Sequence, residues 1–374
     1  MFHFVFALPW LFVVTRFLWP LHLPLVATCV AALILLVASQ FHFWNKLSSG
    51  SVLCPEFPRP VVVLFNWAFG GIILLALMQL LLDAATLVGA LIPGAGISVS
   101  DGFRYGMAGL AACLAAIGVT QATRIPPLKD IDIRIQGLPP QFDGYTILQL
   151  TDLHISRLFP AAWARTVVAH ANSLGVDLIA ITGDLIDGTL KVRRADVEPL
   201  RDLRAIDGVY MIPGNHEYYF GYEAWMQHYA SMGMVTLENR HVVLDRDGGQ
   251  LVLAGVTDRA SHGGGFTAPD IEFAIRGAPD NAPVILLDHQ PSDARRAASL
   301  GVKLQLSGHT HGGLIVGLDR LAARANAGYV SGRYQVGGMT LYVNNGTGLW
   351  PGFALRLGRP SELTRITLRR ADGA

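Results

Sequence analysis

The sequence predicts a chain in two parts: a transmembrane bundle of about four apolar helices over residues 1–125, then an α/β domain of mixed sheet flanked by helices over residues 126–374. Three observations carry this. Hydrophobic residues make up 51% of the chain and charged residues 15%, against roughly 25% charge in an ordinary soluble domain. Up to Ala122 the charged side chains are confined to Arg16, Lys46, Glu56, Arg59, Asp83, Asp101 and Arg104, which separate long apolar runs. Past Ile125 a Pro126-Pro127 pair and Lys129 mark a change to short apolar runs broken by Gly, Asp and Asn, the texture of α/β folds.

Four spans are expected, over residues 2–19, 21–43, 61–82 and 103–122. Residues 21–43 and 61–82 have the length of about 20 residues that a hydrocarbon core requires. The first span contains Pro9 and carries Arg16 near its end, where a long side chain can reach the interface. The last is rich in Ala and Gly, which suits close packing of helices in lipid. A buried soluble bundle would need polar outer faces, and the residues for them are missing. The N-terminal MFHFVFALPW has neither the charged start nor the small-residue cleavage site of a secretory signal, so it is expected to be retained. With four spans, Lys46, Arg59, Arg124, Lys129 and Arg134 fall on one side and Arg16 and Arg104 on the other. The positive-inside bias then places the α/β domain in the cytoplasm.

Bulk composition removes several functions. A net charge of +1 provides no basic stripe for nucleic acid. All three cysteines, Cys29, Cys54 and Cys113, lie in the first third, so the α/β domain forms no disulfide and no thiolate metal site. Neither G-x-S-x-G nor H-E-x-x-H occurs. A transporter would want paired charges inside its spans, and Asp83 is the one acidic residue near them, at an edge.

In the α/β part, strands are expected at 131–135, 145–150, 178–182, 209–212, 251–256, 284–287, 304–307, 339–343 and 363–368, with helices such as 161–174 and 222–232 following only some of them. Polar clusters stand immediately after five of these strands. Asp152-Leu153-His154 follows the second; if the extended backbone continues, its two polar side chains project to one side. Gly183-Asp184 follows the third, the glycine allowing a tight turn and Asp184 offering two oxygens. Gly214-Asn215-His216-Glu217 follows the fourth, His289 the sixth and Gly308-His309-Thr310-His311 the seventh. Carboxylate, imidazole and amide oxygen together form a donor set for borderline divalent cations.

In this order the clusters, DLH, GDLID, GNHE, LLDHQP and SGHTHGG, resemble the calcineurin-like metallophosphoesterase family over residues 131–368. The closing YVNNGTGLW, Arg356 and RPSELTRITL resemble its membrane-associated bacterial branch. The resemblance implies an α/β sandwich of two mixed sheets and a multi-pass protein of a bacterial inner membrane. It also implies two divalent metal ions, Mn, Fe or Zn, one held by Asp152, His154, Asp184 and His311 and the other by Asp184, Asn215, His289 and His309. Water held by the two ions would attack phosphorus, and His216 would protonate the leaving oxygen. The expected partners are the lipid bilayer and a phosphoester substrate, lipid-linked or nucleotide-linked, cleaved as a phosphodiester or pyrophosphate. The alternative is a membrane scaffold or binding protein with a structural metal centre.

One departure stands out: Leu314 follows the Gly-Gly where that branch often has Gln, which bears on substrate preference. Glu217 reads equally as an orienting carboxylate or a solvated one. Arg157 and Arg356 read as basic loop residues that can reach a phosphate, and Asn344 and Asn345 as site neighbours or turn formers. Tyr218, Tyr219, Tyr222 and Trp225 read as packing residues that can also wall the site, and His262 as a solvated loop residue.

Overall fold

The computed structural model describes residues 2–92 and 98–371. The chain divides into two compact units, Met1–Ala122 with Pro351–Leu357, and Thr123–Trp350 with Gly358–Ala374. The first unit is helical: α1 (Phe2–Val13), continued by single turns over Val14–Leu18 and Trp19–Leu21, then α2 (Leu25–Ser39), α3 (Phe41–Ser49), α4 (Arg59–Ala90) and α5 (Asp101–Thr123). Proline sets the helix starts: Pro24 and Pro58 precede α2 and α4, and Pro60 stands in the first turn of α4, where its missing N–H costs no hydrogen bond. Gly50, at φ 81°, ends α3.

Of the four expected spans, two helices, α4 and α5, are long and apolar enough to cross a membrane by themselves. A third crossing results if α2 and α3, bent by 51° at Gln40, count as one. The stretch Val5–Leu21 is a shorter apolar helix. Leu25, Val26, Leu33, Ile34, Leu81, Leu87 and Leu91 face outward, the reverse of a soluble bundle. At one end of the unit Arg16 pairs with Asp83 at 2.9 Å, Gln79 donates to Asp83 at 2.7 Å, and Arg104 donates to the Arg16 carbonyl at 3.2 Å.

Pro351–Leu357 sits with the helices, not with the strands on either side of it in sequence. Asn66 of α4 accepts from the Ala354 N–H at 2.6 Å and donates to the Pro351 carbonyl at 3.0 Å. Leu355 fills a hole that only glycine leaves open: a Cβ on Gly70 would lie 2.5 Å from its Cδ1, and one on Gly118 2.7 Å from its Cγ. Phe353 meets Phe69 edge-on with ring centroids 5.8 Å apart.

The second unit contains two six-stranded mixed sheets. In chain order the strands are β1 (Leu128–Ile135), β2 (Thr146–Leu150), β3 (Leu178–Thr182), β4 (Val209–Ile212), β5 (Val235–Thr236), β6 (Arg240–Arg246), β7 (Gly249–Gly255), β8 (Val284–Leu287), β9 (Leu304–Ser307), β10 (Gly332–Val336), β11 (Met339–Val343) and β12 (Leu363–Arg370). One sheet runs β1-β12-β2-β3-β4-β5 and the other β10-β11-β9-β8-β7-β6. Pairing is parallel from β2 to β5 and from β7 through β8 and β9 to β11, with antiparallel pairs at β12–β2, β6–β7 and β10–β11.

Alternate residues build the core between the sheets. Leu178 and Ala180, Tyr210 and Ile212, and Ile366 and Leu368 from one sheet meet Leu251 and Leu253, Ile285 and Leu287, and Leu304 and Leu306 from the other. The intervening Ala254, Leu286, Leu341 and Val343 join a second cluster on the outer face with Ala294 and Ala297. Burial on both faces explains why β8 reads as an unbroken apolar run. Three strands escaped the sequence reading: β5 with two residues, and the sheet edges β6 and β10, which carry exposed polar residues such as Arg240, Asp245, Arg333 and Gln335.

The tight seat of Leu355 makes a testable difference between glycines. Gly118→Ala should lower the thermal midpoint of the detergent-purified protein, overpacking typically costing about 1–3 kcal/mol. Gly109→Ala, where an added Cβ meets nothing within 4 Å, should leave the midpoint unchanged or raise it.

Candidate metal centre

The loops that leave the C-terminal ends of β2, β3, β4, β8 and β9 bring Asp152, His154, Asp184, Asn215, His289, His309 and His311 together. In these parallel sheets the strand ends share one edge. The backbone there is not extended. Asp152, His154, Asp184, His309 and His311 all hold positive φ, at 51°, 46°, 55°, 69° and 50°. The expected alternation of an extended DLH is therefore corrected: left-handed residues on either side of a fully buried Leu153 turn Asp152 and His154 into the site. Asp and His are among the non-glycine residues found there most often.

Close approach of backbone explains the glycines beside these ligands. A Cβ on Gly214 would stand 2.2 Å from Asp184 Oδ1, and one on Gly308 2.3 Å from Asp152 Oδ2. The loops are then tied by backbone donors. Asp152 accepts from the His309 N–H at 3.1 Å, and Asp184 Oδ1 from the His216 N–H at 2.8 Å.

The donor atoms fall into three groups, each within 4.8 Å: Asp152, His154 and His311; His154, Asp184 and His216; Asp184, His289 and His309. His154 Nε2 lies 3.2 Å from His311 Nε2 and 3.8 Å from Asp184 Oδ2. His289 Nδ1 donates to the Thr182 carbonyl at 2.7 Å, which turns its Nε2 toward Asp184 Oδ2 at 3.3 Å and Asn215 Oδ1 at 3.2 Å. Asn215 Oδ1 is also 2.9 Å from His309 Nδ1. Two buried carboxylates, Asp152 and Asp184, among imidazoles require positive charge in the site, from protons on the imidazoles or from cations. Hard oxygens and imidazoles with no thiolate are the donors that Mn, Fe or Zn accept. The residues present therefore fit divalent metal ions.

Two carboxylates organise the donors. Asp187, fully buried, holds His154 Nδ1 at 3.1 Å and His216 Nδ1 at 2.5 Å, which turns both Nε2 atoms toward the centre. It went unnoticed in the sequence although it stands three residues past Asp184; the one signal available was the second acid of GDLID. Glu217 is buried and not solvated. Its Oε2 accepts from the Gly214 N–H at 2.7 Å and the Asp184 N–H at 3.1 Å, and its Oε1 from the Leu185 N–H at 2.8 Å. Burial, reinforced by Asp184, pushes the Glu217 carboxyl up to about 7.

Burial also drives His309 down to about 3, with the neighbouring His289 adding to it, so this imidazole stays neutral. Burial acts in the same direction on His216, but Asp184 and Asp187 outweigh it and hold the imidazole up at about 9.

The remaining candidates separate by what they touch. Trp225 is fully buried and donates to the Gly188 carbonyl at 3.1 Å, a packing role. Tyr218 and Tyr222 stack at 4.2 Å against Phe266, and Tyr219 is exposed with its ring centroid 5.4 Å from that of His216. Asn344 makes a turn by accepting from the Gly346 N–H at 2.8 Å, and Asn345 Oδ1 accepts from the Ser331 hydroxyl at 2.7 Å. Arg157 and His262 are exposed, while Arg356 is fully buried within the segment that belongs to the helical unit.

Residues 145–313 match the calcineurin-like phosphoesterase family. A transmembrane protein with a metallophosphoesterase domain from Danio rerio is 33% identical over 274 residues, which cover 70% of this chain and 62% of that protein. The chain thus spans under two thirds of that relative's length. A metallophosphoesterase from Bacillus subtilis is 33% identical over 248 residues, covering 64% of this chain and 84% of that protein. Among solved structures, a calcineurin-like phosphoesterase from Bacillus subtilis aligns with a TM-score of 0.37 at 15% identity, over 55% of this chain and 82% of that one. From its matched residues and its 33% identity over 84% of the bacterial relative, the chain belongs to the calcineurin-like phosphoesterase family.

Proposed function

We propose that this protein is a membrane-anchored phosphoester hydrolase with a centre for two divalent ions, Mn, Fe or Zn. The observation that carries the reading is the convergence of seven donor residues from five strand ends, in overlapping groups linked through His154 and Asp184. Asp152, His154, Asp184 and His311 would hold one ion, and Asp184, Asn215, His289 and His309 the other. Such ions supply an activated water and neutralise charge on the phosphoryl oxygens.

The chain's own residues do the rest. Asp187 fixes the ring of His216 through Nδ1, so that Nε2 faces the centre beside Asp184 at 3.9 Å. Held as an imidazolium by its two carboxylate neighbours, His216 carries a proton that the leaving oxygen can take. Glu217 acts at one remove, gripping the two backbone turns that present Asp184 and Asn215. An imidazole oriented by a buried carboxylate toward the donor cluster is suited to proton transfer, which favours an enzyme.

Residues 1–125 are assigned to the anchor and 126–374 to the hydrolase. Four crossings, counting 5–21 and the bent α2–α3 pair once each, would put Arg16 and Arg104 on one side of the membrane, and their contacts at one end of the helical unit agree with that. The larger set, Lys46, Arg59, Arg124, Lys129 and Arg134, then marks the cytoplasmic side, where the hydrolase would work on a lipid-linked or nucleotide-linked diester or pyrophosphate of a bacterial inner membrane.

Purified without chelator and supplied with Mn, the protein should contain about two metal ions per chain by elemental analysis; a metal-free product would refute the centre. Asp184→Asn removes the shared charge and should lose both metal and activity. His216→Ala should keep its metal and lose roughly 100 to 10,000-fold in turnover on a substrate with an alkoxide leaving group. The loss should be much smaller on a nitrophenyl ester, whose leaving group needs no proton. Loss of metal from His216→Ala would make it a ligand, and full activity on the alkoxide substrate would remove its role as acid. For orientation, a cysteine introduced at Ile206, which is 73% exposed, should resist an impermeant thiol reagent in intact cells; ready labelling would invert the topology.

A further inference from the structure

The stretch that follows the last ligands is unlike the rest of the centre's surroundings. After His311 come two glycines at positive φ and then Leu314, itself at φ 64°. Leu314, Ile315 and Leu318 are half-buried, while Val316 is 59% and Leu321 60% exposed. The short helix Asp319–Ala325 presents Arg320, Leu321 and Arg324 to solvent on its outer side. Its one acid, Asp319, is buried and paired with Arg359, so the outward charge is purely positive.

Apolar side chains set among arginines form the pattern of an interfacial element. The apolar groups gain by leaving water, the arginine stems lie along them, and the guanidinium heads stay among phosphates. Net positive charge matches the anionic surface of a cytoplasmic leaflet. The chain supplies a reason for a bilayer to be near. Ile315 pairs with Gly358, and a Cβ on Gly358 would meet Val316 at 2.6 Å. Gly358 follows directly on Leu357, the last of the seven residues that belong to the helical unit.

We propose that residues 314–324 lie in the headgroup layer of the bilayer, with Val316 and Leu321 immersed, and so hold the loop carrying His309 and His311 at the membrane surface. The proposal rests on the helical unit being embedded in lipid, and it favours substrates whose phosphoester sits at that surface.

Site-directed fluorescence in nanodiscs of phosphatidylglycerol and phosphatidylethanolamine tests it on the full chain. In a background with Cys29→Ala and Cys113→Ala, keeping the buried Cys54, an environment-sensitive dye is placed at Leu321→Cys. The same dye at Ile206→Cys and at Leu33→Cys reports water and acyl chains. At Leu321 the dye should be quenched by lipid with a doxyl group near the headgroup and shielded from iodide at least threefold relative to Ile206. Arg320→Glu with Arg324→Glu should at least halve the lipid quenching. Iodide access equal to that at Ile206 would overturn the proposal, and so would a dye shielded from iodide yet untouched by doxyl lipid, which would mean a protein cover. If the dye at Leu33 also escaped deep doxyl lipid, the embedding of the helices would be what failed.

Discussion

Carboxylates and imidazoles crowded into one buried space are the constraint around which the strand-bearing unit is arranged. Asp184 Oδ2 and Asn215 Oδ1 lie within 3.3 Å of His289 Nε2, and His154 Nε2 lies 3.2 Å from that of His311. Burying polar and charged groups so densely is costly unless their charges are balanced and their hydrogen bonds made. The surrounding structure therefore has to hold them in place. Five ligand residues at positive φ add to the burden, a left-handed residue with a side chain costing about 1 kcal/mol or more. Glu217, through three backbone N–H groups, and Asp187, through two imidazoles, are the fixed points that offset this. Both are carboxylates at full burial, an expense that makes sense only where geometry must be exact to a fraction of an ångström.

The sequence exposed the donors because their positions are set by short-range rules. A strand of four or five apolar residues ends, a glycine turns, and a carboxylate or imidazole follows; that grammar is visible around Asp184, Asn215 and His309 without knowledge of the fold. The hidden parts depend on contacts across many residues. Asp187 acquires its role from His154, 33 positions earlier, and His216, 29 positions later. Glu217 could not be told from a solvated carboxylate because its partners are backbone groups, which leave no trace in composition. The same reason hid the left-handed turns: Asp152-Leu153-His154 has the alternation of a strand, and only packing against Gly308 and Gly346 bends it. The missed strands β6 and β10 lie at sheet edges, where one face meets solvent and no apolar run is needed.

The helical unit was legible in its hydrophobicity and less so in its geometry. Length identified α4 and an Ala- and Gly-rich composition α5, whereas the bend at Gln40 and the shortness of the 5–21 helix follow from local backbone and neighbours. Pro351–Leu357 could not be found from sequence. The seat of Phe353, Ala354 and Leu355 is made of absences, the missing side chains of Gly70 and Gly118, together with Asn66 in a mostly apolar helix.

That segment has a consequence for how the two units depend on each other along the chain. β12 follows it, and β12 is not an edge strand: it lies between β1 and β2, parallel to the first and antiparallel to the second. β1 in turn follows α5 within five residues. The sheet that carries Asp152, Asp184 and Asn215 is thus completed by a strand whose chain has just passed through the helical unit. Removing the helices would leave Leu355 and Phe353 without the glycine seat and the Phe69 ring that cover them, exposing apolar surface immediately before the strand that closes the sheet. The helices thus cover the apolar segment from which β12 departs.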